Sequence, residues 1–226
     1  MKNMHTNNQR GAVMMIALVM LLILTVLAIG SMRGVALESR ITGTRAYTSQ
    51  LQDAADAALR EAEFRFYGPG YLQDKLEYRA ANCTKQNEIK ANMANKPCLL
   101  PIGTSNHTDR LALSLDPIGF FKTGAGTSLP LDRKTGAGTI EASNNETLAW
   151  MPYSGLDPNS DSEPQYSAYW NTMLIIAGAD ENEALNAEYG MVAEGKGTYY
   201  YLINGQGDDI TALQSTISNI YVGLNN

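Results

Sequence analysis

The sequence predicts an α+β protein in which one long N-terminal helix, apolar in its first half and amphipathic in its second, packs on a mostly antiparallel β-sheet head. Three observations carry this prediction. Residues Ala12 to Ile29 form 18 consecutive positions without a charge, no proline interrupts 34–66 while apolar residues recur there at steps of three and four, and the C-terminal part alternates apolar runs with turn residues.

The first element is a membrane segment by length. At 1.5 Å per residue those 18 positions make roughly 27 Å of helix, close to the thickness of a hydrocarbon core. An ordinary cleaved signal peptide has a shorter apolar run with a small-x-small site after it, whereas here the processing signal lies before the run. Arg10 and Gly11 stand at the membrane edge directly before Ala12, and glycine leaves an accessible backbone for a protease there. Charge does not orient the segment, because Lys2 and Arg10 flank one side and Arg33, Arg40 and Arg45 the other. A short flank before it and a cysteine-bearing domain after it favour the cytoplasm for residues 1–11 and an oxidising compartment for the rest.

The helix continues beyond the membrane. Leu37, Ile41, Thr44, Thr48, Leu51, Ala55, Ala58, Ala62 and Phe66 mark one moderately apolar stripe. Arg45, Asp53, Asp56, Arg60, Glu61 and Glu63 are expected on the opposite, polar side, where Asp56 and Arg60 stand four apart and support helix without implying function. Gly68-Pro69-Gly70 is expected to end the helix, and Gly30, with Thr25 upstream, is the expected point of bending or local melting. The chain therefore divides into residues 1–11 as a leader, 12–30 as the membrane half of the helix, 31–67 as its amphipathic half, and 68–226 as an extracytoplasmic head.

Roughly 150 of the 226 residues remain for that head, enough for one domain with its own core. Seventeen basic and 23 acidic residues give a charge of −6, and loss of Lys2 and Arg10 would leave 15 against 23, or −8. A dedicated nucleic-acid binder needs a basic surface, so no nucleic-acid partner is expected. Cys83 and Cys98, with 14 residues between them, read as a disulfide in an exported domain, where closing such a loop stabilises by roughly 3 kcal/mol in the chain-entropy model. The alternatives are two free thiols or a two-cysteine metal site, for which no histidine lies near at ligand spacing.

Within the head, 71–78 is read as a further helical turn or edge segment. The sequence Lys-Thr-Gly-Ala-Gly-Thr occurs at 122–127 and again at 134–139. A phosphate-binding loop needs its lysine after the glycines and a helix next, so turns at either end of a short strand are the better reading. Strands are expected at Thr172–Ala177, Tyr189–Ala193, Thr198–Ile203 and Ile210–Val222, with residues 204–208 (Asn-Gly-Gln-Gly-Asp) connecting the last two. His107 sits in an Asn/Thr/Asp loop and is the one histidine outside the leader, which leaves little for a nucleophilic triad; no catalytic residue is assigned. Asp180, Glu181 and Glu183 read as a solvated turn. Asp157, Asn159, Asp161 and Glu163 offer oxygens at alternate positions as calcium loops do, yet Ser162 replaces the turn glycine and Ala168 the closing glutamate. Calcium is thus the one cofactor candidate. Trp150, Tyr153, Tyr166, Tyr169 and Trp170 form an aromatic cluster expected to be core, with an interface as the alternative.

A leader ending in glycine, an apolar segment directly after it and an amphipathic continuation resemble a type IV prepilin. More narrowly, residues 9–12 (Gln-Arg-Gly-Ala), 31–34 (Ser-Met-Arg-Gly), 37–43 (Leu-Glu-Ser-Arg-Ile-Thr-Gly) and 54–63 (Ala-Ala-Asp-Ala-Ala-Leu-Arg-Glu-Ala-Glu) resemble the N-terminal region of PilX-type minor pilins, over roughly residues 8–66. Residues 212–216 (Ala-Leu-Gln-Ser-Thr) resemble the last strand of that family. The resemblance implies a type IV pilin-like fold, cleavage by a prepilin peptidase between Gly11 and Ala12, methylation of the Ala12 amine, and extraction from the bacterial inner membrane into a filament at the cell surface. It implies as partners the major pilin and other minor pilins, through the N-terminal helix, and a tip adhesin.

Two positions depart from the family. Ala12 stands where Phe or Met is usual, and Ile16 where most pilins carry glutamate as the fifth mature residue. In the family that carboxylate is thought to pair with the terminal ammonium of a neighbour already in the filament, and an unpaired charge in an apolar bundle is costly. A subunit at the tip has no earlier neighbour, so Ile16 is expected to mark a tip or initiation position, or to be simply a better membrane residue. The same N-terminus suits a type II secretion pseudopilin of the GspK kind, and a membrane-tethered extracytoplasmic adhesin, sensor or enzyme is the reading from another class.

Overall fold

The computed structural model describes residues 9–67, 79–87, 96–100, 107–122, 147–155, 165–175 and 197–221. The chain falls into two units, Met1–Thr48 and Ser49–Asn226. The first unit is helical throughout its described part, and helix α1, Gln9–Phe64, carries on into the second. Helical pairing passes through Gly30 without a break, so the local melting expected there is not seen. Thr25 and Ser31 satisfy their hydroxyls on the helix itself, donating to the carbonyls of Leu22 at 2.8 Å and Leu27 at 2.7 Å. The apolar side chains of this unit, Leu37 and Ile41 among them, are exposed.

From Leu51 onward the predicted stripe is buried: Leu51, Ala55, Ala58, Ala62 and Phe66 are all inside. The last turns of α1 tighten, with the amide of Phe66 donating to Glu63 at 3.0 Å and that of Tyr67 to Phe64 at 3.1 Å. Residues 68–70 lie outside the described residues.

Against this helix stands a four-stranded antiparallel sheet in the order β1-β2-β3-β4, with β1 Met151–Pro152, β2 Ala168–Ile175, β3 Gly197–Gly207 and β4 Thr211–Tyr221. β2 begins four residues before the expected strand, and β4 lies within one residue of its expected limits. The larger difference is at the end of β3, because residues 204–207 are strand rather than connection. The turn is Asp208–Ile210, where Asp208 and Asp209 have φ of 51° and 55° and the amide of Ile210 donates to Gly207 at 3.1 Å. Aspartate tolerates that left-handed conformation better than most residues, which frees the glycines for another task.

That task is close approach. A Cβ on Gly205 would lie 2.7 Å from the Leu59 amide nitrogen and closer still to the Ala55 carbonyl; one on Gly207 would lie 2.5 Å from the Leu51 carbonyl. The α1 backbone at Leu51, Ala55 and Leu59 rests directly on Gly205 and Gly207 of β3. Alternation then puts Trp170, Thr172, Tyr201 and Ile203 on the helix side, and the rings of Phe66 and Tyr201 meet at 5.1 Å. The other side of the sheet is buried at β2 and at the end of β3, where Asn171 and Asn204 form a cross-strand pair, and is exposed along β4. Asn204 donates to Asn171 at 2.8 Å and accepts from Gln214 at 2.8 Å, while Asn171 donates to the Ala149 carbonyl at 3.1 Å.

Among the described residues two short α-helices precede the sheet, α2 His107–Leu115 and α3 Pro117–Lys122. His107 is therefore the first residue of a helix rather than part of a loop. Asp116 separates the two: its side chain accepts from the Gly119 amide at 2.9 Å and Pro117 follows at the first helical position, a standard pairing of cap and first residue. Leu113, Phe120 and Phe121 reach the core, where Phe121 meets Trp150 edge-on at 5.7 Å. Trp150, Tyr169 and Trp170 are buried and Tyr153 and Tyr166 half-buried, so the aromatic cluster is core. The strand expected at Tyr189–Ala193, the segment 71–78, the carboxylates Asp180, Glu181 and Glu183, and the repeats beyond Lys122 lie outside the described residues.

Candidate functional site

Two regions of the described residues carry the chemistry, one that the sequence singles out and one that it does not, and each belongs to one unit. In the first, α1 bears Val13, Ile16, Leu18, Leu22, Val26 and Ile29, each more than half exposed, with no charge between Ala12 and Ile29. The helix is long and apolar enough to cross a membrane. An apolar surface of that extent is stable against lipid or other helices rather than water. Gly11 and Ala12 are exposed at its start, nothing lies within 4 Å of where a Cβ on Gly11 would stand, and Ile16 sits one turn beyond Ala12.

The second region is a polar cluster inside the head that the sequence does not announce. Glu61, expected on the polar side of α1, is fully buried, and so is Arg65 one turn on. The reason is the stripe's width: Ala54, Ala58, Leu59 and Ala62 all face inward, and Glu61 stands on the same side as Ala54 and Ala58. Its carboxylate accepts five hydrogen bonds. Oε1 takes Arg65 Nη2 at 2.7 Å, Trp170 Nε1 at 3.1 Å and Ser154 Oγ at 3.1 Å, and Oε2 takes the amides of Ser154 at 2.7 Å and Gly155 at 3.2 Å. Gly155 has a φ of 85°, a conformation that suits glycine and lets its amide point at the carboxylate. Arg65 in turn lies over the Trp170 ring at 4.8 Å and donates through Nη1 to the carbonyl and side-chain oxygens of Asn87, at 2.8 and 3.0 Å.

Asn87 belongs to the loop that the disulfide closes. Cys83 and Cys98 are bonded, both fully buried, with their Cα atoms 4.7 Å apart. Asn87 Nδ2 reaches the carbonyls of Asn82 at 2.6 Å and Lys96 at 2.8 Å, spanning the loop. Thr172 Oγ1 donates to the Cys98 carbonyl at 2.7 Å, and Leu99 pairs with Thr172 as a parallel bridge. Helix α1, strand β2, the 154–155 segment and, through Arg65, the disulfide loop thus converge on the Glu61–Arg65 pair. All lone-pair directions of the carboxylate are taken, which makes Glu61 a structural tie rather than a group open to a substrate.

The calcium candidates Asp157, Asn159, Asp161 and Glu163 lie outside the described residues. Among the described residues no group of three or more His, Cys, Asp or Glu is placed to hold a metal. The one signal in the sequence for the buried cluster is the i,i+4 spacing of Glu61 and Arg65, which Asp56 and Arg60 share one turn earlier. That pair bonds at 2.6 Å with side chains 44% and 67% exposed, so spacing alone does not separate a tie from a surface contact.

No family model matches the chain, and no curated protein or solved structure is significantly similar to it.

Proposed function

We propose that the chain is a membrane-anchored subunit of a type IV pilin-like filament, a minor pilin of the PilX kind, matured by cleavage between Gly11 and Ala12. The observation that carries the reading is helix α1: one element runs from a fully exposed, uncharged apolar stretch into a head whose antiparallel sheet buries its last turns. A simple membrane tether needs no such continuity, whereas a filament subunit does, because the helix that leaves the lipid must then pack against other helices while still holding the head. The disulfide suits a head outside the cytoplasm. In this reading the inner membrane holds the subunit before assembly, and other minor pilins and the major pilin receive its apolar half afterwards.

Ile16 gives the finer position. A subunit lacking the glutamate suits the tip, where no earlier neighbour offers an amine, and such a subunit helps prime assembly. Mass spectrometry of the mature N-terminus is the test. A chain beginning at methylated Ala12 is the expected result, and an intact Met1 in cells with an active prepilin peptidase overturns the reading.

A further inference from the structure

The outer edge of β4 is open among the described residues, and the strand itself carries no charge, proline or bulge to guard it. Natural sheets protect edge strands with charges, prolines or bulges. β4 is 11 residues long, Thr211–Tyr221, with none of Asp, Glu, Lys, Arg or Pro. Its pairing with β3 runs one-to-one from Gly207↔Thr211 to Gly197↔Tyr221 without a bulge. Gln214, Thr216 and Ser218 are exposed on one face, while Leu213 and Ile217 on the other pack half-buried against the core.

The order of side chains along this edge points to the occupant. Read outward from Ser215 in both directions, the strand is a near-palindrome: Gln214 answers Thr216, Leu213 answers Ile217 and Thr211 answers Asn219 in polarity, while Ala212 answers Ser218 in size. An antiparallel pair of identical strands about a twofold axis sets such positions opposite one another. Leu213 then faces Ile217 of the second copy on the core side of the seam, amide and hydroxyl face each other on the exposed side, and no like charges meet.

We propose that β4 is a self-association edge, pairing antiparallel with β4 of a second copy of this chain about Ser215, so that two four-stranded sheets become one continuous sheet. The proposal does not depend on the filament reading. A seam of nine residues, 211–219, falls at the small end of specific interfaces, below about 1,200 Å², so the pairing is weak and reversible.

The test uses the full chain in detergent at high protein concentration, oxidised with copper phenanthroline. In the Ser215→Cys variant the two thiols lie on residues about 4.5–5.5 Å apart at Cα, whichever kind of antiparallel pair they form, within the span a disulfide bridges. Crosslinked dimer is expected. Asn219→Cys alone sets its thiols eight positions apart, about 27 Å, and is expected to stay monomeric, whereas mixing it with Thr211→Cys restores a crosslink. Adding Thr216→Lys to Ser215→Cys brings two cations near one another on the seam and is expected to return the dimer to its level without oxidant. A monomeric Ser215→Cys chain overturns the proposal. So does equal crosslinking of Asn219→Cys alone, which would mean collision, another register, or association through the apolar helix.

Discussion

Arg65 Nη2, just past the end of α1, donates to Glu61 Oε1 across 2.7 Å, and neither side chain is more than 1% exposed. Such a pair holds only while both members are present, because removing one leaves the other charged in a medium that cannot solvate it. Glu61→Gln keeps the shape and removes the charge, so it is expected to destabilise the head by about 3–5 kcal/mol. Arg65→Met should do the same. The double variant should be less destabilised than the sum of the two, which a double-mutant cycle of denaturant midpoints on the full chain would measure. By contrast Asp56→Ala, which breaks the exposed Asp56–Arg60 pair, should leave the midpoint unchanged.

The contact between α1 and β3 is equally specific. Gly205→Ala sets a methyl against the backbone of α1 at Ala55 and Leu59, so helix and strand must separate, at about 1–3 kcal/mol. Gly43→Ala, with nothing within 4 Å of the new carbon, should instead be neutral or stabilise α1 by about 0.5–1 kcal/mol. Thermal unfolding of the two variants side by side separates steric conflict from helix propensity; equal shifts would show that the close approach is unimportant.

Helix α1 was legible because its signals are additive: an uncharged run, an unbroken 3–4 spacing and no proline all agree. β4 was legible in position and extent and β2 and β3 in position alone, while the two-residue β1 left no pattern to read. Asn204 to Gly207 look like a connection by composition, yet Gly205 is strand because a helix backbone presses on it, and that pressure comes from a residue about 150 positions away. Glu61 reads as a polar-face residue for a related reason. A charged side chain on a helix is normally solvated, and only the partners supplied by Ser154, Gly155 and Trp170 make its burial tolerable. Both are tertiary effects on residues whose local pattern points the other way. His107 differs, since α2 was missed for want of length: a nine-residue helix with one fully buried leucine leaves little periodicity to read.

The disulfide and the Arg65–Asn87 contact hold the same loop from two sides, and their losses should not add. Replacing Cys83 and Cys98 by serine is expected to cost about 2–5 kcal/mol. Limited proteolysis should then cut within the 83–98 loop before the sheet. In the Arg65→Met background the same replacement should cost less, because the loop has already lost one of its two ties. In the native chain no thiol should react with a maleimide under denaturing conditions until a reductant is added.

Position 16 separates two explanations of one residue. If Ile16 is only a good membrane residue, Ile16→Glu places a carboxylate in lipid and lowers the amount of chain in the membrane, with no change in where the surviving subunits sit. If it marks the tip, the new carboxylate gives the chain what a shaft subunit has, a partner for the amine of the neighbour ahead, and the variant should appear along the filament as well as at its end. Immunogold labelling of sheared filaments, scored by distance from the tip and normalised to membrane-inserted protein, reads the two apart. Labelling confined to the tip in a variant that inserts normally would remove the tip reading and leave the cleavage reading standing, since Gly11 and Ala12 are untouched by the substitution.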